Sequence, residues 1–499
     1  MEEKKAADKL NLGNTFEEEE LQSFLHDVEK LIVEEALVKG TSRDVRVTNF
    51  RHPKELKGLL NFSIEDGPCS FKELLELCKN VINYSVKTGN PRFFNQLYSG
   101  MNVFGLAGSW VTESLNTNIH TFETSPVFVL LDNYIIEKMC GIVGFNGGDG
   151  LFCPGGAFSN IMALNISRYK CCPDVKTEGV YGHRRMKIYV SAEGHYSLAK
   201  GAMFLGMGSK SVVKIESDER GRMKPDDLER QIVRDKDKGE LPMCVVATSG
   251  TTVLGSFDPL EDISDICDKY GVWLHCDACW GGGALLSKKH KHLLKAVHRA
   301  MSVSWNMHKL TATPMQCSLF LTKEKGLLEE CNRFDVEYLF QPDKCYDTSY
   351  DIGHKTVQCG RKADSLKLWL MWKGLGDSGM AAIVDKAFEN ARYFTDQIRG
   401  REGFRLVLPE FQLTSVCFWY IPKSLRGREE TFEWWEAVSL VGPKIKEKML
   451  HEGTIMIGYQ PLQSKGFVNF FRLVVGNAKC NFSDMDFVIS EIERYGADL

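Results

Sequence analysis

With 499 residues, 43% of them hydrophobic, the chain is long enough for roughly two or three packed domains, and disorder is excluded as its main state. Lys and Arg total 62 against 66 Asp and Glu, a formal charge of −4, and no basic stripe gathers them, so a nucleic-acid or anionic-membrane surface is excluded on charge. Met1-Glu2-Glu3-Lys4-Lys5 leads into acidic residues and no run approaches 18 apolar residues, so neither a secretory leader nor a membrane span is expected and the expected location is the cytoplasm.

Thr15-Phe16-Glu17-Glu18 spells a capping box, and Leu21, Phe24, Leu25, Val28, Leu31 and Ile32 follow at helical spacing. A second helix is predicted over Phe71 to Tyr84, closed by the break Lys87-Thr88-Gly89-Asn90-Pro91. From about 150 to 310 short β-branched runs alternate with helical patterns. The runs are 187–191, 211–215, 243–247, 272–275 and 302–304, with helices expected from Pro225 onward and over Leu260 to Tyr270. That alternation predicts an α/β fold with a mostly parallel sheet covered on both faces, whose ligands lie at the strands' carboxyl ends. Beyond about 365, a helix over Ala381 to Ile398 and strands over 415–420 and 468–475 read as a smaller α+β domain. Gly374-Leu-Gly376-Asp-Ser-Gly379 reads as a turn between helices. The expected division is a helical segment over 1–91, a large domain over 92–368 and a small domain over 369–499.

Four features carry chemistry. Asp149 to Asn160 is read as a glycine-rich turn opening a helix, where free N–H groups suit a phosphate, though such a turn also merely caps helices. Asp277 closes an apolar strand in His275-Cys276-Asp277-Ala278-Cys279. The Cys276/Cys279 pair raises zinc or a redox dithiol. No further ligands stand at knuckle distance, His290 and His292 lie in a Lys-rich stretch, and the pair closes a strand instead of opening a helix. No metal is therefore expected, and the sixteen scattered cysteines read as reduced thiols. Lys309 follows a short strand among apolar and small residues, a dry setting in which a neutral amine can condense with an aldehyde. His195 lies between the turn and Asp277 in the chain.

A phosphate cradle, a flat ring partner, a carboxylate and an aldehyde-binding lysine in one βα sheet are the parts of a pyridoxal phosphate site. Here the chain, from about Phe16 to Leu499, resembles the group II pyridoxal-phosphate-dependent decarboxylases. Residues 90–97, 148–150, 248–252, 338–343, 358–361 and 469–472 look like the acidic amino acid branch, which includes cysteine sulfinate and glutamate decarboxylases.

The resemblance implies a fold-type I architecture, a homodimer whose active site is completed across the interface, pyridoxal 5'-phosphate as cofactor, and α-decarboxylation of a small acidic amino acid. By the same resemblance Lys309 would carry the cofactor, Asp277 would hold its ring nitrogen protonated and His195 would stack on the ring. Gly156, Ala157 and Ser159 would take the phosphate, with Thr248, Cys279, Asn306 and His308 around the cofactor. Tyr338, a mobile-loop phenol, would return the proton to Cα. Phe94, Gln96, Tyr98 and Arg472 would meet the substrate, Arg472 gripping its carboxylate.

Met307 stands where relatives commonly have Pro and Cys279 where they have Ala, while Glu193-Gly194 precede the histidine where relatives vary. Tyr98 stands where glutamate-specific members carry Ser, which favours cysteine sulfinate (to hypotaurine) and aspartate (to β-alanine). The alternatives are glutamate decarboxylation to GABA and an inactive, cofactor-bearing binding protein.

Overall fold

A computed structural model describes residues 17–499. The first predicted helix runs over Glu18–Leu31, entered through Glu17, whose N–H donates to the Glu20 carboxylate at 3.3 Å. Thr15 and Phe16 of the expected capping box lie outside the described residues. The second helix is Phe71–Tyr84. Ser70 caps it reciprocally: the Ser70 N–H donates to Glu73 Oε2 at 2.8 Å and the Glu73 N–H to Ser70 Oγ at 3.3 Å.

The large sheet has seven strands. They are β2 (Asp149–Cys153), β3 (Met186–Ser191), β4 (Val212–Ile215), β5 (Leu241–Thr248), β6 (Trp273–Asp277), β7 (Ser302–Asn306) and β8 (Ser318–Thr322), in the order β2-β8-β7-β6-β5-β3-β4. Pairing is parallel from β7 through β6, β5 and β3 to β4, and antiparallel only where β8 meets β7 and β2. Alternate residues of the β-branched runs bury on opposite faces: Val245 and Ala247 in one core, Cys244 and Val246 in the other.

Asp149–Cys153, read from sequence as part of a turn, is a fully buried strand. A Cβ on Gly150 would lie 2.5 Å from the Phe320 carbonyl, so glycine is what lets β2 lie flat against β8. The turn is only Pro154-Gly155, with Gly155 at φ +97°, and the helix starts at Gly156.

The second sheet joins β1 (Phe93–Phe94), β9 (Phe404–Leu406), β10 (Ser415–Tyr420), β11 (Met456–Leu462) and β12 (Phe467–Val474) in the order β1-β11-β12-β10-β9. The short β1 pairs in parallel with β11, so a segment distant in sequence closes the edge of this C-terminal sheet. The helical span Ser365–Ile398 breaks at Gly376, at φ 65° and ψ 176°, within the predicted turn. Among the described residues no helix is long and apolar enough to cross a membrane.

Candidate active site

The parallel strands bring their last residues to one rim. Thr248 closes β5, Asp277 closes β6 and Asn306 closes β7, with Thr248 and Asp277 direct register partners. Lys309 follows β7 by three residues, His195 follows β3, and the Gly156–Cys171 helix points its first turn at the same place. These residues, with Ala157 and Cys279, line one cleft. Asn160, Gly250, Thr252 and Trp280, which sequence reasoning did not single out, line it too.

Asp277 is the electrostatic centre. Its carboxylate is 5% exposed and accepts from Asn160 Nδ2 at 2.8 Å and from the Cys279 N–H at 3.1 Å. Burial pushes this carboxyl up. The Asn160 amide, Cys279 and the Lys309 charge outweigh burial, and Asp277 is held below the usual carboxylate value. It is a buried anion with oxygen capacity left for a donor in the cleft.

Behind Asp277 runs a chain of hydrogen bonds whose direction can be read. Ser302 Oγ accepts from Trp273 Nε1 at 2.9 Å and meets His275 Nδ1, also at 2.9 Å. Burial pushes His275 down to about 4, so its ring is neutral and carries its proton on Nε2, facing Asn160 Oδ1 at 3.2 Å. With its oxygen committed, Asn160 turns its amide to Asp277 and to Ser197 Oγ, 3.0 Å away. The Ser197 hydroxyl and N–H then meet His195 Nδ1 at 2.8 and 3.2 Å. Burial lowers His195 from its usual 6.5 although Asp277 pulls the other way, so this ring too is neutral, with its remaining proton on Nε2.

Asn160 and His275 had a signal in the sequence. One lies a helical turn beyond Gly156, and the other two residues before Asp277 on the same strand face.

The cleft fits the cofactor. Thr248 Oγ1 and Asn306 Oδ1 are buried without partners, and the Lys309 ammonium, in the same cleft, has no hydrogen bond or ion pair among the described residues. A Cβ on Gly156 would lie 2.6 Å from Asn306 Nδ2 and Cys279 Sγ, so glycine holds open the space over the strand ends. Gly156, Ala157, Thr248, His195, Asp277, Cys279, Asn306 and Lys309 line the cleft and could hold it. Burial and then Asp277 push the Cys279 thiol well up, so it lines the site as a neutral thiol. Among the described residues no three His, Cys, Asp or Glu side chains converge as a metal centre requires.

Other expected site residues are not among those lining this cleft. Ser159 is buried and its hydroxyl donates back to the Gly155 carbonyl at 3.4 Å, the usual satisfaction of a serine in a helix's first turn, so it does not line the cleft. His308 turns from the cleft toward Cys317, whose N–H donates to its Nδ1 at 3.1 Å, and burial pushes it down to about 4. Phe94 is buried in β1, Gln96 is exposed and Tyr98 is half-buried. Arg472, 9% exposed on β12, reaches the rim indirectly by donating to the Thr252 carbonyl at 2.7 Å.

Tyr338 is 78% exposed on a loop that lines a different cavity, away from Lys309. That loop is anchored by Phe340, which stacks on His354 at 3.6 Å, and by Lys344, which pairs with Asp351 at 3.1 Å. The motif arginine Arg361 pairs with Asp132 at 2.8 Å, both buried, and so fixes the neighbouring helix.

Residues 53–421 match the pyridoxal-dependent decarboxylase conserved domain. The chain is 50% identical over 481 residues to cysteine sulfinic acid decarboxylase of Homo sapiens, covering 96% of this chain and 97% of that one. It is 48% identical over 480 residues to acidic amino acid decarboxylase GADL1 of Mus musculus, covering 96% and 86%. Among solved structures, mouse CSAD in its apo form superposes with a TM-score of 0.93 at 48% identity, covering 96% of this chain and 99% of that chain. Oryza sativa TDC with PLP and tryptamine shares the fold, with a TM-score of 0.86 at 21% identity, covering 96% and 98%. The rim of buried Asp277, Lys309 and the glycine-opened helix start thus has its explanation: the chain belongs to the pyridoxal-dependent decarboxylase family, carboxy-lyases that work with pyridoxal 5'-phosphate.

Proposed function

We propose that this enzyme removes the α-carboxyl group of small acidic amino acids, with cysteine sulfinate and aspartate preferred and hypotaurine and β-alanine as products. The observation that carries the reading is the buried Asp277 carboxylate, kept ionised by Asn160 and facing an amine, Lys309, that has no other partner. The relatives named for cysteine sulfinic acid and acidic amino acids support the substrate class.

When bound, pyridoxal phosphate supplies an electron sink for the pair left on Cα as the bond to the carboxyl carbon breaks and carbon dioxide leaves. The chain's residues do the rest. The Lys309 amine would hold the cofactor through its aldehyde. Asp277 holds a proton on the ring nitrogen, and its own geometry is held by Asn160. His195 offers a neutral ring as a wall, its tautomer set by Ser197. Gly156 and Ala157 present backbone N–H groups to the phosphate, and Arg472 takes a carboxylate of the substrate.

Tyr338 donates the proton to Cα. Its exposure on a loop away from its own chain's cleft supports service across a homodimer interface, to the cleft of a second copy.

The test is a product assay with the cofactor-loaded enzyme on cysteine sulfinate, aspartate, glutamate and cysteate. Hypotaurine and β-alanine should dominate, and GABA as the main product would overturn the preference.

A further inference from the structure

Lys446 is a cation without a counter-charge. It projects from the Phe432–Glu452 helix, and its ammonium donates to Asn95 Oδ1 at 2.7 Å and to the Ile457 carbonyl at 2.8 Å. Ile457 is the register partner of Phe94, so Lys446 spans the junction of β1 and β11 where the chain leaves β1 for Asn95-Gln96-Leu97-Tyr98. Both acceptors are neutral. Burial alone moves this lysine, down to about 8, and no charge from its own helix, from β11 or β12, or from the Asn95 segment offsets it.

A second cation converges on the same residue. Arg472 Nη2 lies 3.4 Å from the Asn95 carbonyl, and burial lowers this arginine also. The two meet because Gly458, paired with Arg472 across β11 and β12, has no side chain: a Cβ there would lie 3.3 Å from the Asn95 carbonyl and 4.0 Å from Arg472 Nη2. A staple between two strands needs only a neutral donor. An ammonium at this place carries a desolvation cost that a neutral donor would not.

We propose that Lys446 is a positioning residue for acidic substrates: it fixes Asn95, and with it the segment to Tyr98, beside Arg472, and its uncompensated charge makes this corner of the site favour an anion. The inference rests on the reading that Arg472 meets a carboxylate of the substrate. It adds a positive charge, not assigned by sequence motifs, that acts through Asn95 without touching the substrate.

The experiment uses cofactor-loaded Lys446→Met and Asn95→Asp, with aspartate as substrate and asparagine as its neutral, similarly shaped competitor. Lys446→Met should raise the KM for aspartate by about 10-fold, through loss of one nearby uncompensated charge, more than it lowers kcat, while the Ki of asparagine stays within about twofold. Asn95→Asp supplies the missing counter-charge and keeps the staple. It should raise the aspartate KM without lowering the melting temperature. The wild-type kcat/KM for aspartate should also fall as pH rises through about 8, a limb absent from Lys446→Met.

KM and Ki rising together, or an unchanged KM in Asn95→Asp, would show a mere strand staple and overturn the proposal. Arg472→Lys separates the two readings. If it raises the aspartate KM while Lys446→Met does not, Lys446 alone is wrongly assigned. If it leaves the KM unchanged, the substrate reading fails and takes this inference with it.

Discussion

Asn160 donates one amide hydrogen to Asp277 at 2.8 Å while its oxygen faces the neutral ring of His275 at 3.2 Å, so a single side chain transmits the order of the buried Ser302–His275 pair to the Asp277 carboxylate in the cleft. The amide cannot flip without turning its oxygen on Asp277 and its donors on His275 Nε2–H. The orientation is therefore fixed by the network and does not depend on cofactor.

Removing that amide should be read in the acid limb. Asp277 sits below its ordinary carboxylate value, so the stability it contributes is present above that value and is lost as pH falls through the folded one. Asn160→Ala removes the largest of the forces lowering it while burial remains. The acid limb of kcat/KM should move to higher pH, turnover near neutrality should drop about 10- to 100-fold, and stability should fall by about 1–3 kcal/mol. An acid limb at the wild-type position in Asn160→Ala would show that Asp277 does not depend on it.

The anchor of the Tyr338 loop is also open to test. Phe340 packs between His354, at 3.6 Å, and His120, at 5.2 Å, and neither ring nitrogen of His120 has a partner. Burial holds both histidines below their usual 6.5, with Arg361 adding to this at His120 and Arg333 at His354. A histidine depressed in the folded state is protonated first in the opened segment as pH falls below its ordinary value, so acid favours opening of this clamp and neutral pH restores it. Proteolytic cleavage within 333–345 should accelerate below about pH 6.5, and Phe340→Ala should cleave quickly at every pH and lose kcat about 10-fold while keeping its cofactor. Cleavage that ignores pH in the wild type would refute the clamp.

Lys309 is judged by chemistry alone. Lys309→Ala should lose turnover, the yellow colour and the borohydride-fixed cofactor peptide together, since among cleft-lining residues it is the one lysine. A fixed adduct on any other lysine would reassign the role.

The fold was legible where local signals and burial agree. The β-branched runs at 187–191 and 243–247 became β3 and β5, and Ser70-x-x-Glu73 capped its helix. It was not legible where tertiary contact overrides propensity. Asp149-Gly150 carries turn residues, yet Gly150 is needed in β2 by the approach of the Phe320 carbonyl, and two-residue β1 exists only because β11 lies beside it. At the site, Asp277 and Lys309 were visible as strand-end residues. His275 and Asn160 were not separated from ordinary core polar groups, because a sequence does not show which buried acceptors face one another. Arg472 was assigned by resemblance, and its link to the cleft through the Thr252 carbonyl needed the fold.

We infer that substrate choice turns on Tyr98. Its ring is half-buried and packs against Phe93 with centroids 6.4 Å apart, so it is braced by the first residue of β1, itself paired to Met456. On that reading, a braced aromatic beside Gln96 would shorten the space available to an acid group approaching Arg472. Aspartate and cysteine sulfinate carry that group one methylene from Cα. Glutamate carries it one methylene further and must buckle or displace the ring. Tyr98→Ser should therefore raise the kcat/KM of glutamate relative to aspartate by about 10- to 200-fold, the range for one methylene, with cofactor retained. If Tyr98 serves only to pack on Phe93, the variant loses stability and activity on both substrates in the same proportion. The ratio of the two kcat/KM values decides, and a constant ratio would remove Tyr98 as the selector.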